Sequence, residues 1–307
     1  SSDLCKDCFI PSFNYRPAGS AQYGLAISNF DQGSAKRFNF GFIASSDNHR
    51  ARPGTGYKEI DRFVTTEANG PSNEIVADIL YPMDEPVDRS IDLRAQPLLG
   101  LRAGFGAFEA EREASFFTTG GLAAVHSKAR DRNSIWEGLT KKETYGTSGD
   151  RILLWFDLIR ENSIFPMGST TSQTQNPVFR VKAVGAFEQK PGCPDYSSTN
   201  ITDEEIERIC KNECYNPSDK RKNISRIEVV KITPQKSPEE SVDDLIFDVW
   251  KSFDCKPSQQ GCQFEFTDDE FSKQSRDSIY YVRAIQEASP VVNAGNLRCS
   301  YNEKGEC

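Results

Sequence analysis

The stretch KRFNFGFIASSDNHR, residues 36–50, decides how the fold is interpreted. Its apolar part, Phe40 to Ala44, predicts a short buried strand, and the polar residues after it predict a turn. The run Ser45-Ser46-Asp47-Asn48-His49 would therefore lie where a strand ends. Ligand sites of α/β sheets and barrels are assembled from the loops that leave the carboxyl ends of their strands. This stretch thus predicts an α/β fold with a functional site at its turn.

A second segment further along the chain predicts the strand–helix–strand order of an α/β fold. Gly121 to Val125 and Ile152 to Ile159 predict strands, and Asp131 predicts the amino-terminal cap of a helix that ends near Glu143. One face of this helix would carry Ile135, Trp136, Leu139 and Thr140. We therefore expect residues 1–150 to belong to an α/β domain.

Residues 151–307 have a different sequence pattern. Short segments of alternating apolar and polar residues, typical of strands, are separated by turn-rich loops that carry cysteines. The alternation is seen in Phe179, Val181 and Ala183, in Ile227 and Val229, in Phe264 and Phe266, and in Ile279, Tyr281 and Arg283. Side chains two residues apart in a strand share one face of the sheet. The pattern predicts an antiparallel β-sandwich.

One helix is predicted inside this second domain. Thr202 and Glu205 have the spacing of a capping box, in which each side chain satisfies a backbone amide of the other residue. The helix would end near Lys211 and would hold Cys210 for a disulfide with Cys193 or with another loop cysteine.

The cysteines admit two interpretations. The nine are Cys5, Cys8, Cys193, Cys210, Cys214, Cys255, Cys262, Cys299 and Cys307. The pairs 5/8 and 210/214 have the spacing of zinc ligands, whereas 255/262 and 299/307 suit small loops that one disulfide closes. Their position among turn residues favours disulfides and an oxidising compartment. Because nine is odd, at least one thiol is free or lacks its partner, and we expect the partner cysteine in a removed segment.

Charge and hydropathy argue against a nucleic-acid partner and against a membrane span. The formal net charge is −8, from 45 acidic and 37 basic side chains, which disfavours nucleic acid as a partner. The basic run Lys220-Arg221-Lys222 predicts a short solvated loop. No apolar run approaches the roughly 20 residues that cross a bilayer, so we expect no membrane span.

Asp47 and His49 form the candidate metal pair. Side chains two residues apart in an extended or turn segment project to the same side, so a carboxylate and an imidazole could share one divalent ion. Zinc, manganese and iron accept such mixed ligands and make hydroxide from bound water near neutral pH. The alternative is a plain turn in which Asp47 caps backbone amides and His49 is exposed.

Basic residues after this pair could bind an anionic substrate. Arg50, Arg52 and Lys58 surround the loop Pro53-Gly54-Thr55-Gly56, whose glycines would let backbone amides approach an anion. The alternative is a tight turn with solvated charges.

Several runs of the chain resemble one known family. They are GFIASSDNHRARPGTGYKE from residue 41, GGLAAVHSKARDRNSIWEGLTKKETYGTSGDRI from residue 120, FRVKAVG, RKNISRIEVVKITP and YYVRAIQE. The family is a bacterial group of largely uncharacterised exported proteins related to the PHP (polymerase and histidinol phosphatase) metallo-phosphoesterases. The resemblance covers nearly the whole chain. It implies that residues 1–150 are the carboxyl-terminal part of a distorted PHP-like α/β barrel, followed by the sandwich of residues 151–307.

Residue by residue, Ser46-Asp47-Asn48-His49 is similar to the late Ser-Asp-x-His motif of PHP domains, whose Asp and His bind metal. The resemblance therefore implies metal ligation by Asp47 and His49. PHP domains take their other ligands from an earlier His-x-His pair and from further upstream His and Glu residues. This chain contains only His49 and His126. We expect it to be a segment completed by an upstream part of the same protein; the alternative is a degenerate site.

His126 directly follows the predicted strand 121–125 and is a candidate residue of the site's rim. A packed or exposed histidine at a strand end is the alternative.

Three hypotheses follow. The first is a periplasmic or secreted bacterial hydrolase that uses divalent metal ions on a small-molecule substrate, a phosphate ester. The second is a non-catalytic surface or binding protein with a degenerate PHP-like domain. The third is a structural protein stabilised by zinc-bound cysteines.

Overall fold

The computed structural model describes residues 20–31, 33, 35–45, 121–161, 163–199, 201–210 and 212–288. The α-helices within these ranges are α1 Ala21–Ala26, α2 Arg132–Thr140, α3 Asp203–Cys210 and α4 Phe271–Gln274. The strands are β1 Ser28–Asn29, β2 Lys36–Arg37, β3 Leu122–Val125, β4 Thr144–Thr147, β5 Leu153–Arg160, β6 Ser163–Pro166, β7 Val178–Val184, β8 Phe187–Gln189, β9 Pro217–Arg221, β10 Ile224–Ile232, β11 Ile246–Asp254, β12 Cys262–Thr267 and β13 Ile279–Gln286.

Two antiparallel sheets form the larger body of the described chain. One has the order β11-β10-β13, and the other has the order β12-β7-β5-β6. Their inner faces share one hydrophobic core, in which Val181 of β7 and Ile227 and Val229 of β10 are fully buried. Burying one such side chain contributes about 1.5–3 kcal/mol. The predicted antiparallel arrangement of this part of the chain is therefore confirmed.

The outer face of β10 is also buried. Val230 and Ile232 pack against Leu25 and Ala26 of helix α1. The helix begins at Ser20, whose Oγ accepts a hydrogen bond of 3.1 Å from the amide of Tyr23. Because helix α1 covers one face and the sandwich core the other, the carboxyl-terminal half of β10 is buried on both sides.

A small hairpin, β3 and β4, attaches to the edge of β5. Strand β6 pairs with β5 only from Asp157 to Arg160, which leaves the start of β5 open on that side. The Tyr145 hydroxyl donates a hydrogen bond of 2.9 Å to the carbonyl of Ile152, and His126 Nε2 lies 2.8 Å from the carbonyl of Leu154. These two side chains cover a sheet edge that would otherwise present unpaired carbonyls.

The strand–helix–strand order predicted for residues 121–159 is present, but its connectivity differs from an α/β unit. Strands β3 and β4 pair antiparallel around helix α2, and β5 joins the sandwich. No closed barrel occurs in the ranges that the structure describes, where every strand pair is antiparallel. The PHP-like barrel stays a prediction.

Helix α2 is capped as predicted but packs differently. The Asp131 carboxylate accepts a hydrogen bond of 2.9 Å from the amide of Ser134. The helix approaches the hairpin through Gly138, where a Cβ atom would lie 2.4 Å from the carbonyl oxygen of His126. The predicted apolar face is exposed, and Trp136 has 68% of its surface in solvent. The helix therefore packs against the hairpin through the side that carries Gly138, opposite to the predicted apolar face.

The prediction of a buried strand from Phe40 to Ala44 is wrong. This segment forms neither helix nor strand, and Ile43 is 71% exposed. Its apolar side chains line an open cleft, described below, instead of a closed core.

The prediction of a solvated basic loop is also wrong. Lys220 and Arg221 end strand β9, and the Arg221 guanidinium lies 3.6 Å from the centre of the Phe187 ring. Lys222 is only 6% exposed and forms an ion pair with Asp150. A distant carboxylate and an aromatic ring give these charges partners that the local sequence does not reveal.

Four of the five cysteines that the structure describes form disulfides. Cys193 bonds Cys214, and Cys255 bonds Cys262 as the spacing predicted. Cys210 has a free thiol, so its predicted disulfide is wrong: helix α3 ends there, and the chain places Cys214 beside Cys193 instead. The remaining four cysteines lie outside the described residues.

The capping box of α3 is confirmed by two reciprocal hydrogen bonds of 3.2 Å between Thr202 and Glu205. Within the described ranges, no helix has the length and apolar character that a bilayer span requires.

Candidate functional site

A cleft of about 810 Å³ opens between the sandwich, the β3–β4 hairpin and the segment 37–44. Its walls also include the loop after β6, residues 167–173, and the start of β13. Clefts that bind small molecules commonly have volumes of about 300–1,000 Å³. The cleft is therefore large enough for a small organic ligand.

The floor of the cleft is apolar and aromatic. Phe42 lies over Tyr281 with 5.2 Å between ring centres, and Phe156 stacks with Phe179 at 5.3 Å. Phe156 and Phe179 belong to the sandwich core, so the floor is held by the packing of two sheets. Core side chains interlocked in this way provide a preformed surface.

Close contacts at glycines hold the segment 41–45 against the hairpin. A Cβ atom on Gly121 would lie 2.9 Å from the carbonyl oxygen of Ser45, and one on Gly146 would lie 2.8 Å from the Cβ of Ala44. A Cβ on Gly41 would lie 2.9 Å from the Cβ of Lys142. Since none of these glycines has a side chain, the segment 41–45 and the β3–β4 hairpin lie in direct contact here.

Lys142 is at the mouth of the cleft and has an uncommon backbone conformation. Its φ is 60°, in the left-handed region that favours glycine. It follows helix α2, and the amides of Lys142 and Glu143 donate to the carbonyls of Leu139 and Gly138 at 3.0 and 2.9 Å. This is the Schellman arrangement of a helix end, with lysine at the position where glycine is usual.

A short polar chain crosses the mouth from Lys142. Its Nζ donates a hydrogen bond of 2.7 Å to Asn39 Oδ1, and Asn39 Nδ2 donates one of 3.3 Å to Thr170 Oγ1. Arg160 orders the neighbouring loop through 2.9 Å hydrogen bonds to Thr171 Oγ1 and Gln173 Oε1. The rim is thus polar and braced, in contrast to the floor.

The two arginines of the cleft wall are already paired. Arg37 lies 2.9 Å from Asp277, and Arg283 bonds both Glu228 and Asp248. Burial opposes the charge of Arg283, but the hydrogen bond to Asp248 and the attraction of Asp248 and Glu228 together outweigh burial and raise the pKa of the guanidinium. These pairs leave Lys142 as the cleft cation whose described polar partner is neutral.

Beneath this wall, a buried charge network fixes strand β13. Lys231 Nζ and the Tyr280 hydroxyl each lie 2.5 Å from Asp268 Oδ2. Burial raises the pKa of Tyr280, and the nearby Asp268 carboxylate raises it further, so the hydroxyl stays protonated and donates. Tyr280 also lines the cleft. The position of that side chain is therefore set from within the core.

His126 has a structural hydrogen bond. Its Nε2 contacts the Leu154 carbonyl, and its ring lies 5.8 Å from Tyr145 and 6.0 Å from Trp155, centre to centre. It does not line the cleft as described. Nearby, burial raises the pKa of Asp157, against the opposing attraction of Arg180 and His126. These contacts match the packed strand-end interpretation of His126 rather than a rim role.

The other predicted site residues, Asp47, His49, Arg50, Arg52 and Lys58, lie outside the described residues. Among the described residues, no three His, Cys, Asp or Glu side chains group together in a way that could hold a metal ion. Sequence reasoning did not single out Lys142, Asn39 or Thr170. No local signal marked them, because the predicted helix ended near Glu143 and Lys142 was placed inside it.

Part of the chain matches a known family model. The model, described as "Protein of unknown function (DUF3604)", matches residues 17–157. This range contains the segment 41–45 and the β3–β4 hairpin, which contribute to one side of the cleft, and it also contains residues 46–49. No curated protein and no solved structure matches the chain. The similarity thus falls on the part of the chain that meets the sandwich at the cleft.

Proposed function

We propose that this chain is the later part of an exported, metal-dependent hydrolase of phosphate esters. Asp47 and His49 would contribute a carboxylate oxygen and an imidazole nitrogen to a divalent zinc, manganese or iron ion. Two donors are fewer than the three or more protein ligands of such catalytic sites, so the remaining ligands would come from upstream in the same protein. A periplasmic or secreted location would fit the two disulfides.

The observation that carries this proposal is the contact between Ala44 and Ser45 and the glycines of the hairpin, at the end of the cleft. Ala44 lines the cleft and Asp47 follows three residues later. Three peptide units span at most about 11 Å in any conformation, so a metal held by Asp47 would lie near this end. A cleft beside the metal pair supports a substrate site next to the reacting centre.

The bound ion would lower the pKa of a water molecule and so supply hydroxide near neutral pH. Arg50, Arg52 and Lys58 would bind the phosphate oxygens and offset the negative charge that develops there. The water oxygen would bond to phosphorus, the bond from phosphorus to the alcohol oxygen would break, and the alcohol would leave with the proton that the water had lost. The cleft would hold the organic part of the ester.

The test measures metal content and hydrolysis in the full natural chain. Asp47→Ala and His49→Ala should each lower bound metal and the hydrolysis of p-nitrophenyl phosphate or its diester. Losing a residue that merely orients a ligand costs about 10- to 100-fold, so losing a direct ligand should exceed that. His126→Gln is the matched control, because glutamine can still donate to the Leu154 carbonyl. Unchanged metal content in both motif variants would overturn the proposal.

A further inference from the structure

The lining of the cleft has a charge opposite to that of the protein. Three cationic side chains and one carboxylate line it among the described residues, namely Arg37, Lys142, Arg283 and Asp277. The whole chain has a formal net charge of −8. Only those cations of the lining that no carboxylate already neutralises can attract an anionic ligand.

Most of this positive charge is already neutralised. Arg37 and Arg283 have carboxylate partners at ion-pair distance. Lys142 instead donates to the neutral amide of Asn39, at 2.7 Å. An ammonium group has three donors and no acceptor, so Lys142 keeps hydrogen-bonding capacity for a further, negatively charged partner.

The placement of Lys142 also opposes its own backbone preference. Glycine adopts a φ near 60° freely, whereas a lysine there is strained. Gly168, on the other side, approaches so closely that a Cβ would lie 2.4 Å from the carbonyl oxygens of residues 141 and 142, and Gly41 leaves room for the lysine stem. A strained residue that its surroundings hold in place is typical of a binding site.

We propose that the cleft binds an organic anion, with Lys142 binding its charged group at the mouth and the rings of Phe42 and Tyr281 contacting an apolar body. The ligand class is a ring-bearing or branched aliphatic molecule with a carboxylate, sulfate or second phosphate group for Lys142, apart from any phosphate ester that Arg50, Arg52 and Lys58 would bind. The claim that this ligand is the substrate of the hydrolase deepens the proposed function and rests on it. The claim that the cleft binds an organic anion depends on the cleft alone.

Two dyes with the same aromatic scaffold test this assignment. One is 1-anilinonaphthalene-8-sulfonate, an anion, and the other is the uncharged N-phenyl-1-naphthylamine. Binding is measured by fluorescence on the full natural chain with a metal chelator present. Lys142→Gln and Lys142→Gly should bind the anionic dye about fivefold to tenfold more weakly, as expected for losing one charge-assisted hydrogen bond at a partly exposed rim. Both should bind the neutral dye as the wild type does.

Lys141 supplies the matched control. It precedes Lys142, carries the same charge, and points to Glu137 rather than into the cleft. Lys141→Gln should leave both affinities within about twofold, since exposed charges contribute little. Equal losses in the Lys141 and Lys142 variants, or failure of the wild type to bind the anionic dye, would overturn the inference.

Two further measurements separate folding and catalysis from binding. Lys142→Gly removes the strain at that position, so it should unfold at the same temperature as the wild type or higher while losing affinity. A fall in both would indicate a structural role and would contradict the assignment. Asp47→Ala should bind the anionic dye as the wild type does; this result keeps the inference even if the metal assignment fails.

Discussion

The ammonium group of Lys222 lies 3.0 Å from the carboxylate of Asp150, across 72 positions of sequence. Gln286 of β13 donates a second hydrogen bond of 2.5 Å to the same carboxylate oxygen. Asp150 follows strand β4 of the hairpin, whereas Lys222 and Gln286 belong to the sandwich. This small cluster therefore ties the hairpin side of the cleft to the sandwich.

Asp150→Ala should lower the free energy of unfolding by about 2–4 kcal/mol, because it removes the carboxylate that pairs with the buried Lys222 ammonium and accepts a hydrogen bond from Gln286. Urea denaturation measures the change. The double variant Asp150→Ala with Lys222→Met should recover at least about half of the loss, since the cost of burying the ammonium is then removed as well. Glu137→Ala, which breaks an exposed pair with Lys141, should change stability by no more than about 0.5 kcal/mol. A double variant less stable than the single one would contradict this account.

Asp268 should control part of the acid sensitivity of the fold. Burial opposes its ionisation, but the hydrogen bonds from Lys231 and Tyr280 outweigh burial and hold the pKa of this carboxyl below its ordinary value. Stability from such a group is fully present above the unfolded pKa, near 4, and is lost as the pH falls through the folded pKa. We therefore expect the wild type to lose this contribution below about pH 4.

Asp268→Asn provides the comparison, because asparagine keeps the size of the side chain but cannot ionise. The variant should be less stable by about 3–5 kcal/mol at neutral pH, since Lys231 is then buried unpaired. The gap between variant and wild type should narrow below about pH 4 in urea denaturation series. A gap that stays constant down to about pH 2.5 would argue against a lowered pKa for Asp268.

Gly121→Ala tests whether the hairpin positions the metal pair. The added Cβ would lie 2.9 Å from the carbonyl oxygen of Ser45, so the segment before the Ser-Asp-x-His motif must shift. We expect metal affinity to fall about 10-fold or more, as for other residues that orient a ligand without touching the metal. Gly24→Ala is the control, because its Cβ would meet Phe40 only at 3.8 Å, an ordinary contact. Metal titration of the full chain gives both values, and equal affinities would refute this positioning role.

The cysteines give a chemical test of the fold. Alkylation without reduction should label Cys210, whereas Cys193 and Cys214 should be labelled only after reduction. Peptide mass spectrometry distinguishes these outcomes. Replacing both bonded cysteines by serine should cost about 3 kcal/mol, because the disulfide closes a loop of about 20 residues in the unfolded chain. If labelling of Cys214 requires a metal chelator instead of a reductant, the result would favour the alternative of a structural protein stabilised by zinc-bound cysteines.

Elements set by neighbouring residues were predictable from the sequence. The Asp131 cap and the Thr202–Glu205 capping box form as expected, because each uses side chains three residues away from the amide they bind. The alternation of Phe179, Val181 and Ala183 also gave the buried face of β7 correctly. Successive side chains of a strand point to opposite faces, so when one face is buried the alternation of apolar residues identifies that face. The predicted domain boundary at residue 150 and the roles of Asp47 and His49 stay predictions.

The sequence by itself determined these local elements, the disulfide of Cys255 with Cys262, and the candidate metal pair. Only the tertiary structure decided that residues 40–44 line a cleft, that Lys222 is buried, and that Asn39 joins Lys142 to Thr170 at its mouth. The last contacts join residues 103 and 131 positions apart. Their cause is the packing of two sheets and a hairpin through glycines, and no periodicity or spacing along the chain encodes which distant side chains such packing brings together.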